Sequence, residues 1–277
     1  MSSYPDAVCI ATVTDDAYTP GTVVLFSSFL RHNPWFRGDL VVIQAQLSER
    51  SRAQLAQFPN VRFHSITAAL DERLATLASH PAVGRKLTHL YSLEAFNLPE
   101  YDWVLALDSD LLCLGDMKGF VAVEGPLVAC PDQSYFWERT RDPNTFEPTH
   151  PASGDASAST FNVGVMKITP SRLNPTVFAD LVDHVRPETW DRIFTGHSDS
   201  ILLNRHFRNA CVQAPDRFNF LISKGLQHYT RARGLLHDAA MVHFLGRPKP
   251  WELEDISVMD AWDPVRRRAF ELWRDSR

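Results

Sequence analysis

The sequence predicts an α/β fold in which helices cover both faces of a mostly parallel β-sheet. In the first half of the chain, short apolar runs with the length of buried strands alternate with segments of helical periodicity. The clearest apolar run is 103–107, and it ends directly on an aspartate. No internal repeat or low-complexity tract interrupts the pattern. We therefore expect one domain of 277 residues, with halves at about 1–115 and about 116–257 and a C-terminal helix at 258–277.

The first half divides into short elements with recognisable ends. A helix over Thr22–His32 closes before a proline, and a second helix, capped by Ser48, stops near Pro59. The spacing of Leu87, Leu90, Tyr91 and Glu94 at i, i+3, i+4 and i+7 predicts a further α-helix over Lys86–Leu98. The predicted strands are Ala7–Val13, Leu40–Ala45, Val61–Phe63 and Trp103–Leu107.

The second half is predicted to contain both kinds of element and one long loop. Asp263 before Pro264 is typical of a helix start, which predicts a terminal helix. The segment Gln133–Ser159 lacks periodicity, and a loop of this length is typical of a functional lid or a disordered segment. The strands are expected at Leu127–Cys130, Val163–Ile168 and Ala239–Leu245, and the helices at Val177–Val185 and Ile201–Phe207.

The composition excludes several classes of partner and location. Hydrophobic residues make up 44% of the chain and charged residues 22%, which is ample material for a core. The net charge of −5 gives no sign of a nucleic-acid or anionic-membrane partner. No signal peptide is recognisable, and no apolar run approaches the ~20 residues that span a bilayer. With four scattered cysteines that are expected to be buried and reduced, the sequence predicts a soluble, cytoplasmic protein.

Two aspartates follow the clearest strand directly. Asp108 and Asp110 lie at the carboxyl end of Trp103–Leu107, the edge at which open α/β sheets bind ligands. Side chains at i and i+2 of an extended segment point the same way, so both carboxylates can contact one cation. A solvated turn accounts for the same residues equally well, because aspartate is common in turns. The pair alone leaves both interpretations open.

A histidine late in the chain favours the cation site. His243 lies in the apolar strand Ala239–Leu245, which breaks into a turn rich in glycine and proline. A lone histidine in such a strand is usually a core residue. Here, however, Gly246 permits close approach of the backbone to a ligand, and Lys249 lies between two prolines. A lysine in that setting suits a phosphate group, to which a charged hydrogen bond contributes roughly 1.5 to 3 kcal/mol.

Six short motifs occur in a fixed order along the chain. They are TVTDDAY followed by Gly21, RKL at 85–87, LDSD at 107–110, FNVGV at 161–165, HSDSILLN at 197–204 and HFLGRPKPW at 243–251. Over about residues 7 to 251, this set resembles glycosyltransferase family 8, whose members are retaining enzymes of GT-A type. A lone DxD motif recurs by chance, whereas the ordered set, and HFLGRPKPW above all, is specific. The resemblance implies a GT-A type, Rossmann-like sheet.

The resemblance assigns the metal and the donor substrate to particular residues. The resemblance implies that a divalent metal binds to Asp108, Asp110 and His243. Two carboxylates and one imidazole favour Mn²⁺, with Mg²⁺ as the alternative. The metal would neutralise the diphosphate leaving group of a UDP-sugar. Tyr18 is expected to stack on the base. The residues expected to bind the donor are Thr12, Thr14, Asp15, Tyr18, Lys86, Asp108, Ser109, Gly246 and Lys249.

Three further residues are expected beside the donor sugar. The resemblance places Asn162, Asp199 and Ser200 near the anomeric carbon as the catalytic candidates, and Asp132 ranks below them. Family members usually carry glutamine where this chain has Ser200. Serine is short and has no evident base in the sequence, so double displacement through it is not favoured. We expect a front-face retaining mechanism in which the leaving diphosphate helps to deprotonate the acceptor.

The resemblance therefore implies a retaining hexosyltransferase. It would transfer glucose or galactose from a UDP-sugar to a hydroxyl group of a small-molecule, glycan or glycoside acceptor. The first half of the chain would bind the nucleotide, and the second half would bind the donor sugar and the acceptor. Whether the chain forms a homodimer is left open.

Two alternative functions also stay open. A sugar-phosphate nucleotidyltransferase shares the sheet and a metal-binding aspartate. It would normally carry a glycine-rich phosphate loop where this chain has Thr14-Asp15-Asp16. A non-catalytic sugar-nucleotide-binding protein is the second alternative, and Ser200 is the only residue that hints at it.

Overall fold

The described part of the chain contains twelve short strands. The computed structural model describes residues 7–44, 46–132, 160–191, 198–223, 236–259 and 263–277, with the backbone of 140–141 and 148–149. The strands are β1 (Val8–Val13), β2 (Asp39–Gln44), β3 (Val61–Ser65), β4 (Trp103–Leu107), β5 (Leu111–Cys113), β6 (Leu127–Pro131), β7 (Thr140–Arg141), β8 (Pro148–Thr149), β9 (Phe161–Ile168), β10 (Cys211–Gln213), β11 (Phe220–Ile222) and β12 (Met241–Phe244).

Seven of these strands form the central sheet, in the order β10-β6-β9-β4-β1-β2-β3. Every neighbouring pair is parallel except the two that involve β9, which is antiparallel to both β4 and β6. A second sheet has the order β11-β12-β5, in which β12 is parallel to β11 and antiparallel to β5. The predicted α/β fold with a mostly parallel sheet is confirmed.

Helices cover both faces of the central sheet. They are α1 (Thr19–His32), α2 (Glu49–Leu55), α3 (Ala68–Leu77), α4 (Lys118–Val121), α5 (Val177–Asp183) and α6 (Asp199–His206). The C-terminal helix α7 (Pro264–Arg274) packs instead on the second sheet, through Ala269, Phe270 and Trp273. Because successive strand side chains alternate between faces, Cys9 and Ala11 pack with α3, α5 and α6. On the opposite face, Val8 and Ile10 pack with α1, α2 and α4. The two apolar layers explain why β4 is buried along its whole length.

Several predicted elements have the ends that the sequence indicated. Strand β4 spans Trp103–Leu107, as predicted. Ser48 Oγ accepts a hydrogen bond from the Ser51 amide at 3.2 Å, and Asp263 accepts one from the Val265 amide at 2.9 Å. Both side chains therefore cap their helices, because each supplies an acceptor for an otherwise unpaired amide of the first turn.

The segment predicted as an α-helix over Lys86–Leu98 is a 3₁₀ helix at Leu87–Phe96. The helix type was predicted wrongly because the apolar spacing was read with a period of 3.6. Leu90, Leu93 and Phe96 are the large buried apolar side chains of the segment, and they lie three residues apart. A spacing of three matches the three residues per turn of a 3₁₀ helix.

A buried carboxylate on this 3₁₀ helix fixes the turn between β3 and α3. The Glu94 carboxylate accepts hydrogen bonds from the Thr67 amide at 2.6 Å and the Thr67 hydroxyl at 2.8 Å. It also lies 3.0 Å from His64 Nε2. Burial would raise the pKa of Glu94, but its hydrogen bonds with His64, Thr67 and Asn97 lower it. The network anchors the start of α3.

Some sequence predictions concern residues only partly described. The predicted loop Gln133–Ser159 contains the short antiparallel pair β7–β8, and its other residues lie outside the described ones. All four cysteines are free. In the part of the chain that the structure describes, no helix has the length and hydropathy needed to cross a membrane.

Candidate active site

A cavity of about 1000 Å³ opens where β1 and β4 end and β9 begins. This is the edge of the sheet at which the sequence predicted ligand binding. With one exception, every residue predicted to bind the metal or the donor or to act in catalysis lines its wall. These residues are Thr14, Asp15, Tyr18, Lys86, Asp108, Ser109, Asp110, Asn162, Asp199, Ser200, His243, Gly246 and Lys249.

Thr12 is the exception and corrects the prediction for the nucleoside pocket. It lies inside β1 with 1% of its surface exposed and is not among the residues of the cavity wall. The alternation of side chains along a strand places it on the same face as Ile10, towards α1. Thr14, which follows the end of β1, does line the cavity.

The three predicted metal ligands meet in the wall of this cavity. Asp108 and Asp110 lie in the turn between β4 and β5, not in the extended segment that the sequence predicted. Pairing of β12 with β5 sets His243 opposite Leu111 and so brings the imidazole to the turn. His243 Nε2 lies 3.2 Å from Asp110 Oδ1 and 3.4 Å from Asp108 Oδ2.

The electrostatics of this triad fit a divalent cation. One ligand atom from each side chain lies within 4.8 Å of the others. Burial, with the Asp110 and Asp199 carboxylates, raises the pKa of Asp108 to about 6, although His243 opposes the shift and 43% of the Asp108 side chain is exposed. Burial would also raise the pKa of Asp110, but His243 and Lys249 lower it below its ordinary value. The crowded negative charge and the two carboxylate and one imidazole donors suit Mn²⁺ or Mg²⁺.

A glycine that sequence reasoning noted only as part of a motif makes room for the triad. A Cβ atom on Gly164 would lie 2.3 Å from His243 Cε1 and 2.9 Å from Asp108 Oδ2. The Gly164 carbonyl also accepts a hydrogen bond from the Asp108 amide at 2.9 Å. The absence of a side chain at this position of β9 therefore allows the imidazole and the carboxylate to approach each other.

Lys249 is held against the triad. Its side chain is almost fully buried, and its ammonium group donates to Asp110 Oδ2 at 2.5 Å and to the Phe244 carbonyl at 2.6 Å. The sequence predicted this lysine only as a phosphate contact. The structure shows that it also forms an ion pair with Asp110, one of the predicted metal ligands, while it lines the cavity.

The residues predicted for the nucleoside form the end of the cavity nearest β1. The Tyr18 ring packs edge-on against Trp251, with ring centroids 5.5 Å apart, and lies 5.8 Å from Lys249 Nζ. Asp15 Oδ1 accepts a hydrogen bond from the Tyr18 amide at 2.9 Å, so this carboxylate also holds the turn. Gly246 has a φ of +69°, a conformation that favours glycine, and nothing lies within 4 Å of the position of a Cβ atom there.

The residues predicted for the donor sugar come from β9 and α6. Asp199 Oδ2 accepts a hydrogen bond from Ser92 Oγ at 3.1 Å, and Oδ1 accepts one from the Ser200 amide at 2.8 Å. Burial raises the pKa of Asp199. Ser92 and His89, which sequence reasoning missed, also line the cavity, and so does Asp132. The sequence did not indicate Ser92 and His89, because a 3₁₀ helix turns different side chains towards the cavity than the predicted α-helix would.

Comparisons with known proteins agree with this fold. The family model of Glycosyl transferase family 8 matches residues 9–255. Glycogenin-1 of Mus musculus is 28% identical over 253 residues, which are 89% of this chain and 66% of that protein. Glycogenin-1 of Homo sapiens is 28% identical over 254 residues, 89% of this chain and 62% of that protein. The chain thus spans less than two thirds of the length of these relatives.

A solved structure has the same fold over nearly the whole chain. The crystal structure of galactosyltransferase LgtC in complex with donor and acceptor sugar analogs superposes with a TM-score of 0.68 at 22% identity. The match covers 96% of this chain and 95% of that one.

Proposed function

Because the chain belongs to glycosyltransferase family 8, we propose that it is a metal-dependent retaining transferase, which moves a hexose from a UDP-sugar to an acceptor hydroxyl. Glucose and galactose are the proposed hexoses. The observation that carries the proposal is the convergence of Asp108, Asp110 and His243 in the wall of a cavity that the predicted donor residues also line.

The triad would hold the cofactor, for which we propose Mn²⁺, with Mg²⁺ as the alternative. When bound there, the cation would neutralise the negative charge that develops on the diphosphate leaving group. The protein contributes the orientation of the ligands. Lys249 fixes one oxygen of Asp110, while the backbone of Gly164 fixes the position of Asp108.

The contacts around the triad support one direction for the donor. On one side, Asp110 contacts Lys249, whose ammonium group lies 5.8 Å from the Tyr18 ring. At Asp108, by contrast, the nearby Asp199 carboxylate raises the pKa, and Asn162 and Asp199, which come from β9 and α6, both line the cavity. We propose that the base lies at Tyr18, the diphosphate at the triad and the sugar at Asn162 and Asp199.

Ser200 bears on the mechanism at the sugar. Its backbone amide donates a hydrogen bond to the Asp199 carboxylate. Its side chain is too short to replace the glutamine that the family usually carries. We propose that Asp199, held by Ser92, orients the sugar and that the acceptor loses its proton to the leaving diphosphate. The acceptor, whether a small molecule, a glycan or a glycoside, would enter from the open side of the cavity.

A donor screen followed by an acceptor screen tests the proposed function. Thermal unfolding with UDP-glucose, UDP-galactose and a UDP-N-acetylhexosamine, each with and without Mn²⁺, should show a stabilising shift that requires the metal. UDP release with a panel of acceptors should then identify transfer. Metal-dependent binding without UDP release would favour the sugar-nucleotide-binding protein, and formation of a UDP-sugar from UTP and a sugar phosphate would favour the nucleotidyltransferase.

Replacing Lys249 by methionine is expected to weaken donor binding by about 10- to 100-fold, because one charged hydrogen bond to the diphosphate is lost. The variant should also unfold at a lower temperature, since Asp110 loses its buried counter-charge. The measurement is isothermal titration of the preferred UDP-sugar in Mn²⁺. Lys118→Met, at an exposed position of α4, is the matched control and should bind as the wild type does. Unchanged affinity in Lys249→Met would remove this lysine from the donor site.

A further inference from the structure

Behind the predicted metal triad, the buried side chains of His243 and Asn219 and the half-buried side chain of Asn162 form a chain of hydrogen bonds. Asn219 is fully buried between a 3₁₀ turn at Asp216–Phe218 and strand β11. Its Oδ1 lies 3.1 Å from His243 Nδ1, and its Nδ2 donates to Asn162 Oδ1 at 2.8 Å. The amide of Gly164 donates to the same Asn162 oxygen at 2.9 Å.

The direction of every bond in this chain follows from one backbone amide. The Gly164 N–H can only donate, so Asn162 must turn its carbonyl oxygen towards it. Asn219 must then present its amino group to that oxygen and its own oxygen to His243. An oxygen facing Nδ1 requires a proton on Nδ1. His243 is therefore set to offer the lone pair of Nε2, the nitrogen that faces both aspartates.

The same chain reaches the donor end of the cavity. Asn162 lines the cavity, and its carbonyl oxygen already accepts two hydrogen bonds, which use both of its lone pairs. What Asn162 can offer a ligand is its amino group. A group that fixes the orientation of Asn162 thus decides whether a donor or an acceptor faces the sugar.

We propose that Asn219 is a positioning residue with two roles, which rests on the proposed function of the site. Its oxygen holds His243 as the tautomer that binds a metal through Nε2, and its amino group holds Asn162 with the NH₂ towards the donor sugar. Partners of this kind around metal-binding histidines commonly affect metal affinity by 10- to 100-fold. Neither role is visible in the sequence, because Asn219 lies 24 residues before His243 and 57 after Asn162.

Two substitutions of nearly equal size separate the two roles. Asn219→Asp keeps an oxygen for His243 Nδ1 but places an acceptor against Asn162 Oδ1. We expect Mn²⁺ affinity within about threefold of the wild type and a KM for the UDP-sugar that rises about tenfold. Asn219→Leu removes both groups and should weaken Mn²⁺ binding by about 10- to 100-fold as well.

Electron paramagnetic resonance in the presence of UDP measures Mn²⁺ binding, and steady-state kinetics measure KM. Circular dichroism verifies that each variant is folded. Equal Mn²⁺ affinity in Asn219→Leu and the wild type would overturn the proposal, as would equal loss in both variants. If Asn219→Leu does not fold, Asn219→Asp alone tests the proposal: it should raise KM while Mn²⁺ affinity stays near that of the wild type. A wild-type protein that binds no Mn²⁺ would overturn the proposed function along with this inference, whereas normal wild-type binding with unaffected variants would overturn this inference alone.

Discussion

Asp108→Asn is expected to lower kcat/KM by on the order of 10³-fold or more, with no loss of stability in the metal-free protein. Loss of one metal ligand removes several kcal/mol of stabilisation from the developing charge of the leaving group. In the metal-free protein, burial and the neighbouring carboxylates raise the pKa of Asp108 and so disfavour its charged form. A neutral amide therefore relieves repulsion while it abolishes Mn²⁺-dependent donor binding.

Asp110→Asn should lose the same activity but should also destabilise the protein. Lys249 is buried against Asp110, and removal of one partner of a buried ion pair typically costs about 3–5 kcal/mol. Thermal unfolding of each variant in EDTA measures the change in stability. A separate Mn²⁺ titration measures the loss of metal binding. Asp183→Asn, on the exposed end of α5, is the control and should match the wild type in activity. Wild-type activity in Asp108→Asn would refute the metal site.

The sequence predicted the sheet and thirteen of the residues in the cavity wall because both depend on local patterns. Strand β4 is an apolar run of five residues, and the polar residues after it could be placed at the ligand-binding edge of the sheet. The metal triad needed more than local patterns. His243 reaches the aspartates because β12 pairs with β5 in one register, and strand pairing between distant segments cannot be read from either segment alone.

What the sequence could not reveal was the support behind the predicted side chains. Asn219 and Gly164 have no periodicity that marks them, and each acts through a contact with a residue far along the chain. Thr12 was placed in the cavity because it belongs to a motif, although the alternation of β1 turns it towards α1. Motifs thus located the chemical groups, whereas packing determines how those groups are oriented.

Gly164→Ala is expected to lower Mn²⁺ affinity and kcat/KM by about 100-fold, although it replaces none of the predicted metal ligands or catalytic residues. The added Cβ would lie 2.3 Å from His243 Cε1 and 2.9 Å from Asp108 Oδ2, so one ligand or the other must move. The backbone of β9 cannot shift easily, since β9 lies between β4 and β6, and the imidazole is held by Asn219. Displacement of reacting groups by about 1 Å can cost on the order of 10²-fold in rate.

Gly119→Ala is the matched control for this substitution. Its Cβ would meet only the tip of the Phe218 ring, at 3.2 Å, and alanine is favoured over glycine in a helix such as α4. That variant should keep wild-type Mn²⁺ affinity and activity. If Gly164→Ala also behaves as the wild type does, the triad tolerates displacement and does not require the close approach seen in the structure. A loss confined to Gly164→Ala, in a protein that still unfolds cooperatively, would show that this glycine sets the metal geometry rather than the stability of β9.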